Sequence, residues 1–204
     1  MTSRLFIMKS KQVGILAFHG DVSEHIETSK HAAKNLQLDI KVIPVRIKNI
    51  IRHLDALIIP GGESTTLFKL CQREGMWEDM GKVKNIFGTC AGAIMLSKSV
   101  IHKIPDQKTL ELMDIEIDRN AYGRQINSFE KDIDTSLGRI HAVFIRAPKI
   151  LSVGTDVKIL AENEGEIIAC EQKKGNSYYL ASCFHPELTS TVFHEYFLKK
   201  IYQN

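Results

Sequence analysis

The strongest constraint on this chain is a repeated switch between short apolar runs and amphipathic segments, with glycine-bearing turns at the junctions. Residues 13–18 (VGILAF) have the unbroken apolar character of a buried strand. His19-Gly20-Asp21 follows as a turn, with Asp21 placed to cap a helix over 22–36. In that helix Val22, Ile26, Ala33 and Leu36 share one face. A second strand is expected at 40–45. A third, at 56–59, ends in Pro60-Gly61-Gly62. Ser64 then caps a helix running to Glu74, and Gly75 stops it. A fourth strand, 85–87, ends at Gly88, and a further helix starts over 91–97. Strand and helix in alternation predict an α/β fold: a parallel sheet with helices on both faces.

The second half changes character. Residues 112–118, 125–129, 139–145, 157–161, 166–171 and 178–184 read as strands with short turns between them, so some must pair antiparallel. A closing helix over 189–202 has apolar positions at Val192, Tyr196 and 198–201. No repeat or low-complexity linker interrupts the chain. Its 204 residues, 44% of them hydrophobic, suit one domain spanning 1–204, with 1–12 as a loose N-terminal extension. A net charge of +3, dispersed along the chain, argues against nucleic acid as a partner. No apolar run has the length of a membrane span, and the N-terminus lacks a signal-peptide core. Cys71, Cys90, Cys170 and Cys183 form no CxxC pair, so a reducing, cytoplasmic setting is expected. No zinc-type spacing and no glycine-rich nucleotide motif occurs, so neither a metal nor a cofactor is expected.

The sharpest chemical signal is Gly88-Thr89-Cys90-Ala91-Gly92, between a strand and a helix. This is the cysteine form of a nucleophile elbow. A tight strand-to-helix turn pushes the middle side chain out at the carboxyl end of the sheet. The glycines remove Cβ atoms that would clash, the helix N-terminus favours a thiolate, and the Ala91 N–H is placed to receive an oxyanion. The same pentapeptide also suits a small buried cysteine in a glycine-rich turn. A thiol nucleophile needs a base, and the base needs an orienting group. His185-Pro186-Glu187 follows the last strand and offers both. Six of the other histidines lie in polar or helical surroundings that suit solvated surface positions. Gly61, Gly62, Glu63 and Ser64 form a strand-end loop whose backbone can approach a ligand. Arg119-Asn120-Ala121-Tyr122-Gly123-Arg124 and Phe144-Ile145-Arg146-Ala147-Pro148 each place an arginine where it could grip a carboxylate. Each also reads as surface charge.

Taken in order, PGGEST, GTCAG, RNAYGRQ, SFE, FIRAP and FHPEL resemble the glutaminase subunits of pyridoxal 5′-phosphate synthase, the SNO-type family, from Val13 to Tyr202. These are class I, triad-type glutamine amidotransferases. The resemblance implies a flavodoxin-like three-layer sandwich, its central sheet mostly parallel with additional antiparallel strands. It implies Cys90 as nucleophile, His185 as base and Glu187 as its orienting acid. Gly62, Glu63, Ser64, Arg119, Ile145 and Arg146 match the glutamine contacts. The implied reaction converts L-glutamine to L-glutamate and ammonia through a γ-glutamyl thioester. The implied partner is a synthase subunit of the PdxS/SNZ type, a (β/α)8 barrel that combines ammonia with ribose 5-phosphate and glyceraldehyde 3-phosphate. Family assemblies hold twelve copies of each subunit, and ammonia crosses between them in a channel. Glutaminase activity in the family is weak until the synthase docks.

One departure stands out. The family usually carries Leu-Gln-Gly where this chain has Phe18-His19-Gly20. That glutamine is thought to help organise the oxyanion site and the synthase contact, so His19 is expected to alter activation by the partner or its pH dependence. Two other readings remain open from the residues: a DJ-1/PfpI-like cysteine hydrolase, and a subunit that only docks on a synthase. Cys71, Cys170 and Cys183 lie in apolar segments and read as structural.

Overall fold

The computed structural model describes residues 10–120 and 128–203. In chain order the first half comprises β1 (Lys11–Leu16), α1 (Val22–Asn35), β2 (Ile40–Val45), α2 (Lys48–Ile51), β3 (Ala56–Ile59), α3 (Ser64–Arg73), α4 (Trp77–Met80), β4 (Asn85–Thr89), α5 (Ala91–Leu96) and β5 (Ser97–Ile101). The second half comprises β6 (Met113–Asp118), β7 (Ser128–Thr135), β8 (Gly138–Ile145), β9 (Lys149–Val153), β10 (Val157–Asn163), β11 (Glu166–Lys174), β12 (Ser177–Ser182), a 3₁₀ turn at Pro186–Leu188 and α6 (Val192–Gln203).

One sheet carries the strands in the order β2-β1-β3-β4-β12-β11-β10-β7-β8. From β2 to β12 every pairing is parallel, and from β12 to β8 every pairing is antiparallel. β5 pairs parallel with β6, β6 pairs antiparallel with β9, and β9 joins β11 at Ile150–Ile167. β3 and β4 are buried at every residue, which is why they read as unbroken apolar runs: both faces of a central parallel strand are covered. Two helix pairs provide the cover, α1 with α6 and α3 with α5. The expected α/β three-layer sandwich, parallel in one half and antiparallel in the other, is the observed architecture. Among the described residues no helix is long and apolar enough to cross a membrane.

The differences from expectation have local causes. The helix expected over 91–97 stops at Leu96. Ser97 turns extended (ψ 151°) and its hydroxyl donates to the Ile94 carbonyl at 2.8 Å, so the chain continues as β5. β9 went unread because its five residues follow Pro148 with no clear alternation. The strand expected over 178–184 leaves the sheet at Ser182, freeing Cys183 to His185 to bend toward the site. Part of the strand expected over 125–129, the last four residues (Ala121 to Arg124) of the first arginine segment, and most of the expected 1–12 extension lie outside the described residues.

Two helix starts depart from the expected chemistry. At α3 the capping side chain is Glu63, not Ser64: its carboxylate accepts from the N–H groups of Thr65 (3.0 Å) and Thr66 (2.6 Å). At α1 Asp21 holds the capping position but makes no capping bond. Its carboxylate is used elsewhere.

Candidate active site

β1, β3, β4 and β12 run in one direction, so their carboxyl ends open on a common edge. The turn after β3 supplies Gly61 to Ser64, the turn after β4 supplies Cys90, and the chain after β12 supplies His185 and Glu187. Cys90 has φ 50° and ψ −105°, a conformation few non-glycine residues adopt. The strain is held by neighbours. The Cys90 N–H donates to the Ser182 carbonyl at 2.8 Å, and Gly92 passes so close to the Ile59 carbonyl that a Cβ there would overlap it. The elbow exists because β3, β4 and β12 clamp it.

His185 is anchored by its own N–H to the Val143 carbonyl of β8 (2.9 Å). Its Nδ1 lies 2.8 Å from Glu187 Oε1 and 3.1 Å from Asp21 Oδ2. Two carboxylates therefore claim one ring nitrogen, which places the proton on Nδ1 and turns Nε2 toward the cysteine. Burial alone would lower the His185 pKa, but its interactions with Cys90 and Glu187 prevail and raise it to about 10. Among the described residues Nε2 itself is buried without a hydrogen-bond partner, while the Cys90 thiol lies 3.9 Å from the Ile145 carbonyl. Glu187 is buried, which on its own would favour the neutral acid. Its interactions with His25 and His185 overcome this and hold its pKa well below the usual carboxylate range. Asp21, His185 and Glu187 bring ligand-type atoms within 4.8 Å of one another, and the two carboxylate–imidazole contacts account for that closeness.

The loop after β3 forms the opposite wall. Gly61 lies directly against the triad: a Cβ there would stand 2.5 Å from His185 Cε1 and 3.4 Å from Cys90 Cβ. Gly62 (φ +119°) lies under the exposed His19 ring, which occupies the space a side chain would need. The Glu63 carboxylate opposes burial with hydrogen bonds from Thr66 and Thr65, and its pKa falls to about 2. Arg119 reaches this loop across the sheet. Its Nη2 donates to Glu63 Oε1 (2.7 Å), and its Nη1 donates to Thr65 Oγ1 (2.9 Å) and Gln107 Oε1 (2.5 Å). Gln107 is buried and donates in turn to Ser64 Oγ (2.9 Å). In this structure the carboxylate that Arg119 grips is Glu63, so its guanidinium shapes the loop. Ile145 sits opposite Cys90, and Arg146 follows it with φ 44° and an exposed side chain.

The structure thus joins Cys90, His185 and Glu187 in one cluster and links Glu63, Ser64 and Arg119 in another. Sequence reasoning missed Gly61 as a contact of the imidazole, Asp21 as a second carboxylate, and Gln107 as the hub of the loop. It also misplaced two histidines. His25 and His194 are fully buried behind Glu187, not solvated. For His25 a signal existed, since it falls on the same α1 stripe as Val22, Ile26 and Ser29. Cys71, Cys170 and Cys183 are buried and free, and burial pushes the Cys71 and Cys170 thiols up to about 12, as expected of structural cysteines.

Gln107 supports a direct expectation. Gln107→Leu keeps the volume but removes the partners of the Ser64 and Thr65 hydroxyls and one of the three Arg119 hydrogen bonds. Such a loss costs about 1–3 kcal/mol per unsatisfied group. If the loop binds substrate, KM should rise about tenfold or more with a smaller change in kcat. Steady-state kinetics check this, and an unchanged KM would separate Gln107 from binding.

Comparison with known proteins agrees with this geometry. A model of the "SNO glutamine amidotransferase family" matches residues 15–203. A pyridoxal 5′-phosphate synthase subunit PdxT from Pyrococcus furiosus is 46% identical over 198 residues, covering 93% of this chain and 98% of that protein. A PdxT from Methanospirillum hungatei is 47% identical over 191 residues, covering 92% and 95%. A crystal structure described as a glutamine amidotransferase superposes with a TM-score of 0.79 at 42% identity, covering 93% of this chain and 98% of that one. With a strained cysteine elbow, an adjoining imidazole–carboxylate pair and likeness along nearly the whole chain, this protein belongs to the SNO glutamine amidotransferase family.

Proposed function

We propose that this chain is the glutaminase subunit of a pyridoxal 5′-phosphate synthase, releasing ammonia from L-glutamine for a PdxS-type synthase subunit. The observation that carries the reading is the cluster of Cys90, on its strained elbow, with His185 and the buried Glu187. The Cys90 thiolate attacks the side-chain amide carbon of glutamine. The carbonyl oxygen gains the negative charge, and the N–H of Ala91, the first residue of α5, is the donor that would receive it. His185, protonated, gives its Nε2 proton to the departing amide nitrogen, and the C–N bond breaks to release ammonia. A γ-glutamyl thioester remains. His185 then takes a proton from water, whose oxygen attacks the thioester carbon. The C–S bond breaks, yielding glutamate and the Cys90 thiolate. Glu187 holds the imidazole in one tautomer throughout and balances its charge.

Gly62, Glu63, Ser64 and Arg119 form the substrate wall, with Arg119 acting through Glu63 and Gln107. The Ile145 carbonyl at the end of β8 faces the elbow, and Arg146 follows it in sequence. In the resting chain the thiol rests on the Ile145 carbonyl, and Nε2 has no partner. Docking of the synthase would align the sulfur and the imidazole, which already interact in the resting chain. His19, exposed beside Gly62, stands where that docking would be felt. An assembly with twelve copies of each subunit, located in the cytoplasm, completes the reading.

Glutamate release from glutamine by the purified chain, alone and with a synthase subunit, tests it. Activity should rise with the partner and vanish in Cys90→Ala. Absence of glutamate release under both conditions, with complex formation intact, would overturn the glutaminase reading in favour of docking alone.

A further inference from the structure

Behind the triad lies a polar chain that the reaction as written does not use. Glu187 Oε1 lies 2.8 Å from His185 Nδ1 and 3.3 Å from His25 Nε2. His25 Nε2 also lies 3.1 Å from Thr89 Oγ1, and His25 Nδ1 lies 2.9 Å from His194 Nε2. Both histidines are completely buried, one on α1 and one on α6. Burying two imidazoles is costly unless their polar atoms are paired. A structural role would be met more simply by two apolar residues in this packed region.

Counting protons assigns the tautomers. His194 Nδ1 is buried with no hydrogen-bond partner. A vacant lone pair there costs less than a stranded N–H, so the His194 proton belongs on Nε2. That N–H donates to His25 Nδ1, which must then be unprotonated. The His25 proton therefore sits on Nε2 and points at Glu187 Oε1, shared with the Thr89 hydroxyl. Every hydrogen bond in the chain is satisfied with both histidines neutral. Burial agrees for His194: it depresses that pKa to about 3.

The carboxylate depends on this donor. Both N–H groups converge on Oε1, and Oε2 is buried with no partner. Nothing else fixes the rotation of the carboxylate, although Thr28 donates to the Glu187 backbone carbonyl at 3.0 Å. We propose that His25, held in one tautomer by His194, is a positioning residue that keeps Glu187 ionised and aimed at His185. This rests on the glutaminase reading above. The groups facing this chain are Thr89 from β4, Cys90 and His185 in the cleft, Asp21 before α1, and His194 from α6. Of these only Asp21 gives His185 an alternative carboxylate.

The signs follow from the donor's direction. Without the His25 N–H, Glu187 accepts a proton more easily, so activity is lost at a higher pH on the acid side. The His185 imidazolium loses part of its counter-charge, so activity is lost at a lower pH on the alkaline side. The pH profile narrows from both ends.

The test compares His25→Leu with His25→Gln in the full chain, assayed with glutamine and a synthase subunit across pH. The rate of Cys90 alkylation by iodoacetamide is followed in parallel, since it needs neither substrate nor partner. His25→Leu should lower kcat about tenfold, the worth of one hydrogen bond to a charged group, with KM nearly unchanged and both limbs of the profile moved inward. His25→Gln restores a donor at the Nε2 position and should recover most of the rate and width. His194→Phe frees His25 to change tautomer and should give a smaller loss, about threefold, with the same narrowing. A folded His25→Leu with wild-type limbs in the alkylation profile would overturn the proposal. So would equal losses in the Leu and Gln variants without a shift of either limb, the mark of packing alone. Failure of the wild-type chain to release glutamate would instead count against the glutaminase reading, and the alkylation profile would still decide the role of His25.

Discussion

Exchange of Glu187 for glutamine is expected to lower kcat about ten-thousandfold, the scale on which loss of the orienting carboxylate acts in a nucleophile–histidine–acid triad. The substitution preserves shape, so packing around residue 187 should survive. It removes the charge that balances the His185 imidazolium. In the native chain Glu187 and Cys90 together raise the His185 pKa to about 10 against the pull of burial. A group with a raised pKa stays protonated below that value, so activity that needs the imidazolium should persist through neutral pH and fall as pH climbs toward 10. In Glu187→Gln the alkaline limb should move down toward the ordinary histidine value of 6.5. Asp21, 3.1 Å from the same Nδ1, should limit the damage, and adding Asp21→Asn should deepen it. A pH–rate profile of kcat/KM reads both effects. An alkaline limb that does not move would remove Glu187 from the role of orienting acid.

Gly61→Ala is the second large effect, and it acts through one methyl group. The added Cβ would stand 2.5 Å from His185 Cε1, a separation that real Cβ atoms do not show. The imidazole must retreat, and it is the moving part, since Gly61 lies on backbone clamped between β3 and α3. A displacement near 1 Å at a reacting group costs about 10²-fold in rate. kcat should fall by that order, with some loss of stability as well, since the His185 ring is buried and its Nδ1 is held by Glu187 and Asp21. Gly61→Ala with wild-type kcat would show that the imidazole works in a position other than the one observed. The contrast with Glu187→Gln is informative: Gly61→Ala displaces the base without altering its counter-charge, so it should lower the rate without moving the alkaline limb.

Much of the site was legible before folding was considered. The elbow at Cys90 announces itself because a sharp strand-to-helix turn demands small residues on both sides of the nucleophile, and Gly88 and Gly92 record that demand. His185 and Glu187 are two residues apart, so their pairing is local and the short segment His185-Pro186-Glu187 contains it. The centre of the parallel half was equally plain, since β3 and β4 are buried at every residue and consist mostly of apolar residues.

Other features had no local cause. Asp21 looks like a helix cap by position, and only the arrival of the chain after β12 turns its carboxylate onto an imidazole more than a hundred residues away. Gln107 sits in a stretch without motif or periodicity, and its importance comes from lying beneath a loop it does not adjoin in sequence. His25 and His194 resemble surface histidines on polar helices until α1 and α6 pack together and seal them against Glu187. The fold class and the candidate site of Cys90, His185 and Glu187 were readable from the chain alone, because they rest on backbone geometry or on neighbours a few residues apart. Folding had to supply the second carboxylate, the loop hub and the buried histidine pair, because burial and hydrogen-bond partners belong to surfaces that meet after the chain has folded.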